Sequence, residues 1–295
     1  MTLAKRPPSA TLQQKKEADE YALLVLTNLH DSWKWIFTIL MGGSAILAGQ
    51  SLMSWADSAY AKYAGISVTN VANIINSNKV PSDLELAVTF LLFLIYALTL
   101  FRFYWGWIRY CDVKYIEVPS LIVSFREKFF QQNIPELYEA SLNEAFKYSR
   151  LHRVWIDTIP VFFQTTVIFI IAGSLNSADI FIRTYAFLLA FNSIYLFINY
   201  LLPAYHEDAL VQAFGVGLAR VITPRKKIEI WILNNTFCAV IMGALLYDTP
   251  SPSLTPSAAL IFVFVMFVNC LIDLMCTREM YSRPVENLWD AVSEF

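Results

Sequence analysis

Residues 86–108 read LAVTFLLFLIYALTLFRFYWGWI, an apolar run long enough to cross a bilayer as one helix. A hydrocarbon core of about 30 Å takes roughly 20 apolar residues in an α-helix. The run shows no alternation of polar and apolar positions, so it does not fit a membrane β-strand. A continuous helix satisfies its own backbone hydrogen bonds in lipid. Five further runs of the same kind lie along the chain, at 35–53, 154–175, 180–202, 230–246 and 258–277. Composition agrees: 57% of the 295 residues are hydrophobic and 16% are charged, against about 25% charged in soluble domains. The expected fold class is an all-α polytopic membrane protein, with six transmembrane helices in three hairpins and a small cytoplasmic helical layer.

Charge sets the orientation. Lys5, Arg6, Lys15, Lys16 and Lys34 precede the first span. Arg109, Lys114, Arg126, Lys128, Lys147, Arg150 and Arg153 lie between the second and third. Arg220, Arg225, Lys226 and Lys227 lie between the fourth and fifth, and Arg278 and Arg283 follow the last. The intervening loops carry only Lys62 and Lys79, while Arg102 and Arg183 fall inside spans. The positive-inside rule then puts both termini in the cytoplasm, in a cell or inner membrane. Tryptophans 33, 35, 55, 105, 107, 155 and 231 sit near span ends, as an aromatic belt does. The net charge of −2 gives no sign of nucleic acid as a partner. The length of the first run, and the thirty-odd residues before it, predict a signal anchor rather than a cleaved leader.

The chain is expected to divide into an N-terminal amphipathic helix (1–34), a first transmembrane hairpin (35–110), a cytoplasmic helical loop (111–153), a second hairpin (154–203), a cytoplasmic loop (204–228), a third hairpin (229–278) and a tail (279–295). Short outer connections at 176–179 and 248–257 make the last two pairs antiparallel neighbours. The first outer loop, 56–85, is longer and is read as holding a short helix near 68–75. On the cytoplasmic side, Thr11-Leu-Gln-Gln14 has the form of a capping box. Tyr21, Leu24, Val25 and Leu29 give the following helix an apolar face. Further helices are read at 120–132, 135–149, 206–222 and 285–295. No repeat relates the hairpins, which argues against an inverted-repeat transporter.

Polar groups inside the spans carry the functional signal, because charge in a bilayer is expensive and needs a partner. Arg102 lies about 24 Å into the second span from its outer end, and Asp273 about 22 Å into the last, at 1.5 Å per residue. These depths predict an Arg102–Asp273 ion pair, with Asp157 as a competing partner at similar depth. Such a pair can lock helices together, or it can gate an ion pathway; snorkelling of Arg102 to the headgroups is a further reading. Gln164, Asn192, Asn199, Asn234, Asn235 and Asn269 form an amide set. One reading is interhelical hydrogen bonding, worth around 0.6 kcal/mol per contact. The other is a polar conduit lined by the fourth, fifth and sixth spans. Asn234 and Asn235 are adjacent, which points at least one of them at a neighbouring helix. Gly42, Ala45 and Gly49 share a face at helical spacing that permits close helix packing, within the chain or between copies.

Catalytic signatures are absent. His30, His152 and His206 are far apart, His206-Glu207-Asp208 lacks H-E-x-x-H spacing, and there is neither a phosphate loop nor G-x-S-x-G. No metal and no cofactor is expected. Cys111, Cys238, Cys270 and Cys276 avoid the outer loops, so disulfides are not expected. The segment from Arg102 to Trp107 would suit a kink or a tight crossing. The leading expectation is a non-enzymatic channel or transport protein for an ion or small solute, working as an oligomer. The alternative is a membrane scaffold, or a bilayer-perturbing effector controlled by a cytoplasmic protein partner. Lipid is the expected environment in either case.

Overall fold

The computed structural model describes residues 12–63, 82–117, 120, 151–201, 225–248 and 254–282. Apart from 82, 174–177, 254 and 255, these are helical, with no strand among them. The elements in order are α1 (Leu12–Tyr63), α2 (Asp83–Cys111), a π-helical turn (Asp112–Glu117), α3 (Leu151–Gly173), α4 (Ala178–Leu201), α5 (Arg225–Asp248) and α6 (Pro256–Ser282). Five of the six helices are long and apolar enough to span a membrane, over Leu23–Tyr60, Asp83–Ile108, Ala178–Leu201, Ile228–Tyr247 and Pro256–Cys276. The exception is α3, whose described apolar stretch is the shorter Asp157–Gly173. The chain has the build of an integral membrane protein.

Exposure supports that environment. Ile39, Ile46, Met53, Leu94, Ile170, Ile194, Phe237, Phe264 and many other large apolar side chains point outward. A water-soluble monomer does not carry so much contiguous exposed apolar surface. For helices in hydrocarbon such an outer face costs nothing.

The chain falls into two compact units. One comprises Met1–Lys34, Tyr110–Arg153 and Ala204–Thr223. In its described part, Leu26 and His30 are buried on α1, while Tyr21 and Leu24 are exposed. The expected apolar face of this segment is therefore rotated toward 26 and 30. His30 places Nε2 3.0 Å from Asp112 of the π-helical turn, and Lys34 approaches the same carboxylate at 3.9 Å. The expected helices at 68–75, 135–149, 206–222 and 285–295, and all but the first residue of that at 120–132, lie outside the described residues. So does Thr11.

The other unit comprises Trp35–Arg109, Val154–Pro203 and Pro224–Phe295, and contains one apolar core. Helices α1 and α2 run antiparallel: Phe37 packs on Trp107, Thr38 meets Tyr104, Ser44 bonds Tyr96, and the Trp55 indole donates to Leu86 O. Helix α3 lies parallel to α1. A Cβ on Gly43 would stand 3.1 Å from the Phe169 ring, one on Gly173 would meet Leu47, and Ser51 donates to Ala172 O. Helices α3 and α4 are antiparallel, joined through Phe163 with Phe187 and Phe191, and through Tyr195 with Asp157. Helix α5 packs against both α4 and α6.

Helix ends follow local chemistry. Ser82 and Glu85 form a reciprocal capping box at the start of α2, with Glu85 N donating to Ser82 Oγ at 3.1 Å and Ser82 N to Glu85 Oε2 at 2.6 Å. Arg183, which the sequence leaves inside a span, reaches back one turn to Asp179 at 2.9 Å near the start of α4. Helix α2 runs through Arg102–Trp107 without interruption, and its irregular turn comes later, at Asp112.

The small-residue stripe of α1 is not where α1 packs. Added side-chain carbons at Gly42 and Gly49 would meet nothing within 4 Å, and Ala45 is exposed. The buried face is Phe37, Met41, Ser44 and Ala48, with Gly43 at its edge against Phe169. The packed face lies about 100° around the helix from Gly42, Ala45 and Gly49, which meet no neighbour among the described residues of this chain.

Candidate functional site: a buried ion pair in an amide cluster

Arg102 on α2 and Asp273 on α6 are each nine-tenths or more buried, among apolar helices. The guanidinium Nη1 lies 2.8 Å from Asp273 Oδ2. It also donates to Asn269 Oδ1 at 2.6 Å, and the guanidinium carbon sits 5.2 Å from the centre of the Phe103 ring. Asp273 and Asn269 are one turn apart on α6, so both present to the same arginine. Of the two carboxylates at similar depth, Asp273 is the one in this pair. Asp157, also buried, accepts from the Tyr195 hydroxyl at 3.4 Å.

Helix α5 closes the cluster. Asn234 Nδ2 donates to Asp273 Oδ1 and to the backbone oxygen of Asn269, the latter at 3.0 Å. Asn235 Oδ1 accepts from Asn269 Nδ2 at 3.2 Å. The two adjacent asparagines straddle α6, so both face this neighbouring helix. Each oxygen of Asp273 thereby has its own donor. A carboxylate taken out of water needs such replacement.

An amide donor of this arrangement is left over. Asn235 is 1% exposed, and its Nδ2 has no hydrogen-bond partner among the described residues. A buried amide donor without an acceptor costs about 1–3 kcal/mol, so the site has unused capacity for an acceptor atom.

A neutral polar group adjoins the pair. Thr99 Oγ1 donates to Ile95 O at 2.7 Å and lies 3.2 Å from the Tyr185 hydroxyl, with which it shares a hydrogen bond. Tyr185 Oη stands 3.4 Å from Cys270 Sγ. Cys238 Sγ lies 3.8 Å from Asn234 Oδ1. Sequence reasoning missed these residues. The available signal was spacing: Thr99 and Cys270 each precede one member of the ion pair by three residues, on the same helix face.

The remaining amides are not part of this cluster. Gln164 Nε2 donates to Asn192 Oδ1 at 3.0 Å, bridging α3 and α4. Asn199 Nδ2 returns to the Tyr195 carbonyl of its own helix at 3.1 Å. The polar groups thus divide between an α2–α5–α6 cluster and an α3–α4 seam, in place of one line along the fourth, fifth and sixth spans. All four cysteines are free thiols, and no group of three or more His, Cys, Asp or Glu among the described residues is placed to hold a metal.

Compared with known proteins, the chain matches no family model, no curated protein and no solved structure.

Proposed function

We propose that this chain is a six-span membrane protein, arranged as three hairpins with both termini in the cytoplasm, that moves an ion or small solute across the bilayer. The Arg102–Asp273 cluster is its working site, and the reading includes self-association into an oligomer. The observation that supports it is the concentration of an arginine, a carboxylate and three asparagines from three helices at one buried place, with one amide donor unused. Charged residues inside membrane helices cost about 2.5–3.5 kcal/mol each on insertion scales and tend to mark pathways. A salt bridge between helices can exchange partners as those helices move.

The chain carries no catalytic role in this reading. The test is flux: the full chain, reconstituted in liposomes, passes ions or a fluorescent solute, and Arg102→Ala or Asp273→Ala changes the rate.

A second reading, a scaffold or effector with a cytoplasmic protein partner, draws on one specific feature. Both oxygens of Asp273 already have donors within the chain, which suits a static lock between helices. Vesicles that stay sealed to every solute while the protein retains a soluble partner would favour it.

A further inference from the structure

His30, on the N-terminal part of α1, has a side chain only 3% exposed and set between two carboxylates. Nδ1 lies 3.3 Å from Asp31 Oδ1. Nε2 lies 3.0 Å from Oδ1 of Asp112, the first residue of the π-helical turn that continues α2. This second approach has the distance of an ion pair but not the geometry of a hydrogen bond. Lys34, one turn further along α1, brings Nζ to 3.9 Å from the same Asp112 oxygen.

Each edge of the ring therefore faces an anion. A neutral imidazole carries one N–H, and its other nitrogen presents a lone pair. Whichever nitrogen holds the proton, a lone pair is left against a carboxylate. The imidazolium has an N–H on both nitrogens and avoids that clash. A buried cation needs counter-charge, and two carboxylates stand in place for it.

We propose that His30 is a proton-sensitive clamp, which when protonated fastens α1 to the turn at the end of α2 through Asp112. The proposal is independent of the transport reading. Three features favour it. Asp31 is 64% exposed and Asp112 25%, so protons reach the buried ring from water along its own counter-charges. Asp112 stands about one turn beyond Ile108, where the apolar stretch of α2 ends, and α1 continues unbroken to Tyr63. The clamp thus ties two long apolar helices together at one end. Its anion sits in a π-helical turn, a local irregularity that is frequent at functional sites.

Among the described residues, the charged groups facing the ring are Asp31 and Lys34 on α1 and Asp112 on the turn. Cys111 and Tyr115 are buried in the same unit, and Lys114 and Glu117 follow Asp112 in sequence. Histidine is the side chain that ordinarily changes charge between about pH 5 and 8, where aspartate and lysine ordinarily hold theirs. Acid therefore tightens the clamp and alkali loosens it. Lys34 keeps part of the contact with Asp112 when His30 is neutral, so the loosening is local.

The test is hydrogen exchange of the 112–117 amides in the full chain, held in lipid nanodiscs. It is run at about pH 5.5 and about pH 7.5, either side of the usual histidine midpoint, and each rate is divided by the intrinsic rate at that pH. Protection of the turn should be several-fold higher at the lower pH. Amides of α4 serve as the control and should not change. His30→Gln should abolish the pH dependence. Asp112→Asn should abolish it too, since it removes the anion and keeps the histidine.

Equal corrected protection at both pH values in the wild type overturns the clamp. A pH dependence that persists in either variant also overturns it, because the sensing group then lies elsewhere. Should His30→Gln fail to fold, Asp112→Asn decides, as its side chain is partly exposed. Vesicles sealed to every solute in the flux measurement would defeat the transport reading and leave this one standing.

Discussion

Arg102 shows how one residue's partners decide its effect. Replacing it with alanine removes the guanidinium from both Asp273 and Asn269, and leaves a carboxylate that is buried and half-served. Breaking a buried pair in this way costs about 3–5 kcal/mol. We expect R102A and D273A each to lose that order of stability in detergent unfolding, and the swapped variant R102D/D273R to be more stable than R102D or D273R alone. If the swap is no better than either single change, the pair contributes no specific attraction. This pair was legible in the sequence because depth is simple arithmetic along a helix, and two opposite charges at one depth have strong reason to meet. The Thr99–Tyr185–Cys270 group was legible only in part: spacing puts Thr99 and Cys270 on the faces of the ion pair, but does not bring them to Tyr185. Neutral side chains carry no such constraint, and their partners depend on helix rotation, which spacing within one helix leaves open.

At the level of the element, the same limit explains the glycines of α1. Sequence spacing correctly groups Gly42, Ala45 and Gly49 on one face, but does not say which face meets a neighbour. The neighbour is met one residue further round, at Gly43, where an added carbon would lie 3.1 Å from Phe169 and open space remains at Gly42. We expect Gly43→Leu to cost about 1–3 kcal/mol by overpacking, while Gly42→Leu leaves the melting temperature of the monomer unchanged or raised. Equal losses at both sites would mean that the outer face of α1 is also packed, against another copy. The cap of α2 gives a separate check. Ser82→Ala removes the oxygen that accepts from Glu85 N, and should lower stability by about 1 kcal/mol. A capping box is local chemistry that needs no tertiary information, and residues 82–85 have its S-x-x-E form, although sequence reasoning names only Thr11–Gln14.

For the whole molecule, the open element is α3, because it decides whether the chain crosses the bilayer an odd or an even number of times. Its described apolar stretch, Asp157–Gly173, is shorter than the other five. The full helix, Leu151–Gly173, has 23 residues, or about 34 Å at 1.5 Å per residue, enough for a core of about 30 Å. Its polar side faces inward: Asp157, Thr158, Gln164 and Thr165 are buried, whereas Ile159, Phe162, Phe163 and Ile170 are exposed. Contacts extend along the whole stretch. Asp157 and Gln164 meet α4, and Phe169, Ala172 and Gly173 meet α1, both of which are long apolar helices in their own right. The first part of the helix meets one span antiparallel and its last turns meet another in parallel, as a helix in the same layer would. We therefore expect an even number of crossings. Reporter fusions after residue 295 should give the same compartment as fusions before residue 1. Single cysteines replacing Lys62 and Arg126 should be labelled by impermeant maleimide from opposite sides of sealed membrane vesicles. Termini reported in opposite compartments would remove α3 from the set of spans, and would place the α3–α4 polar seam at a membrane surface rather than within it.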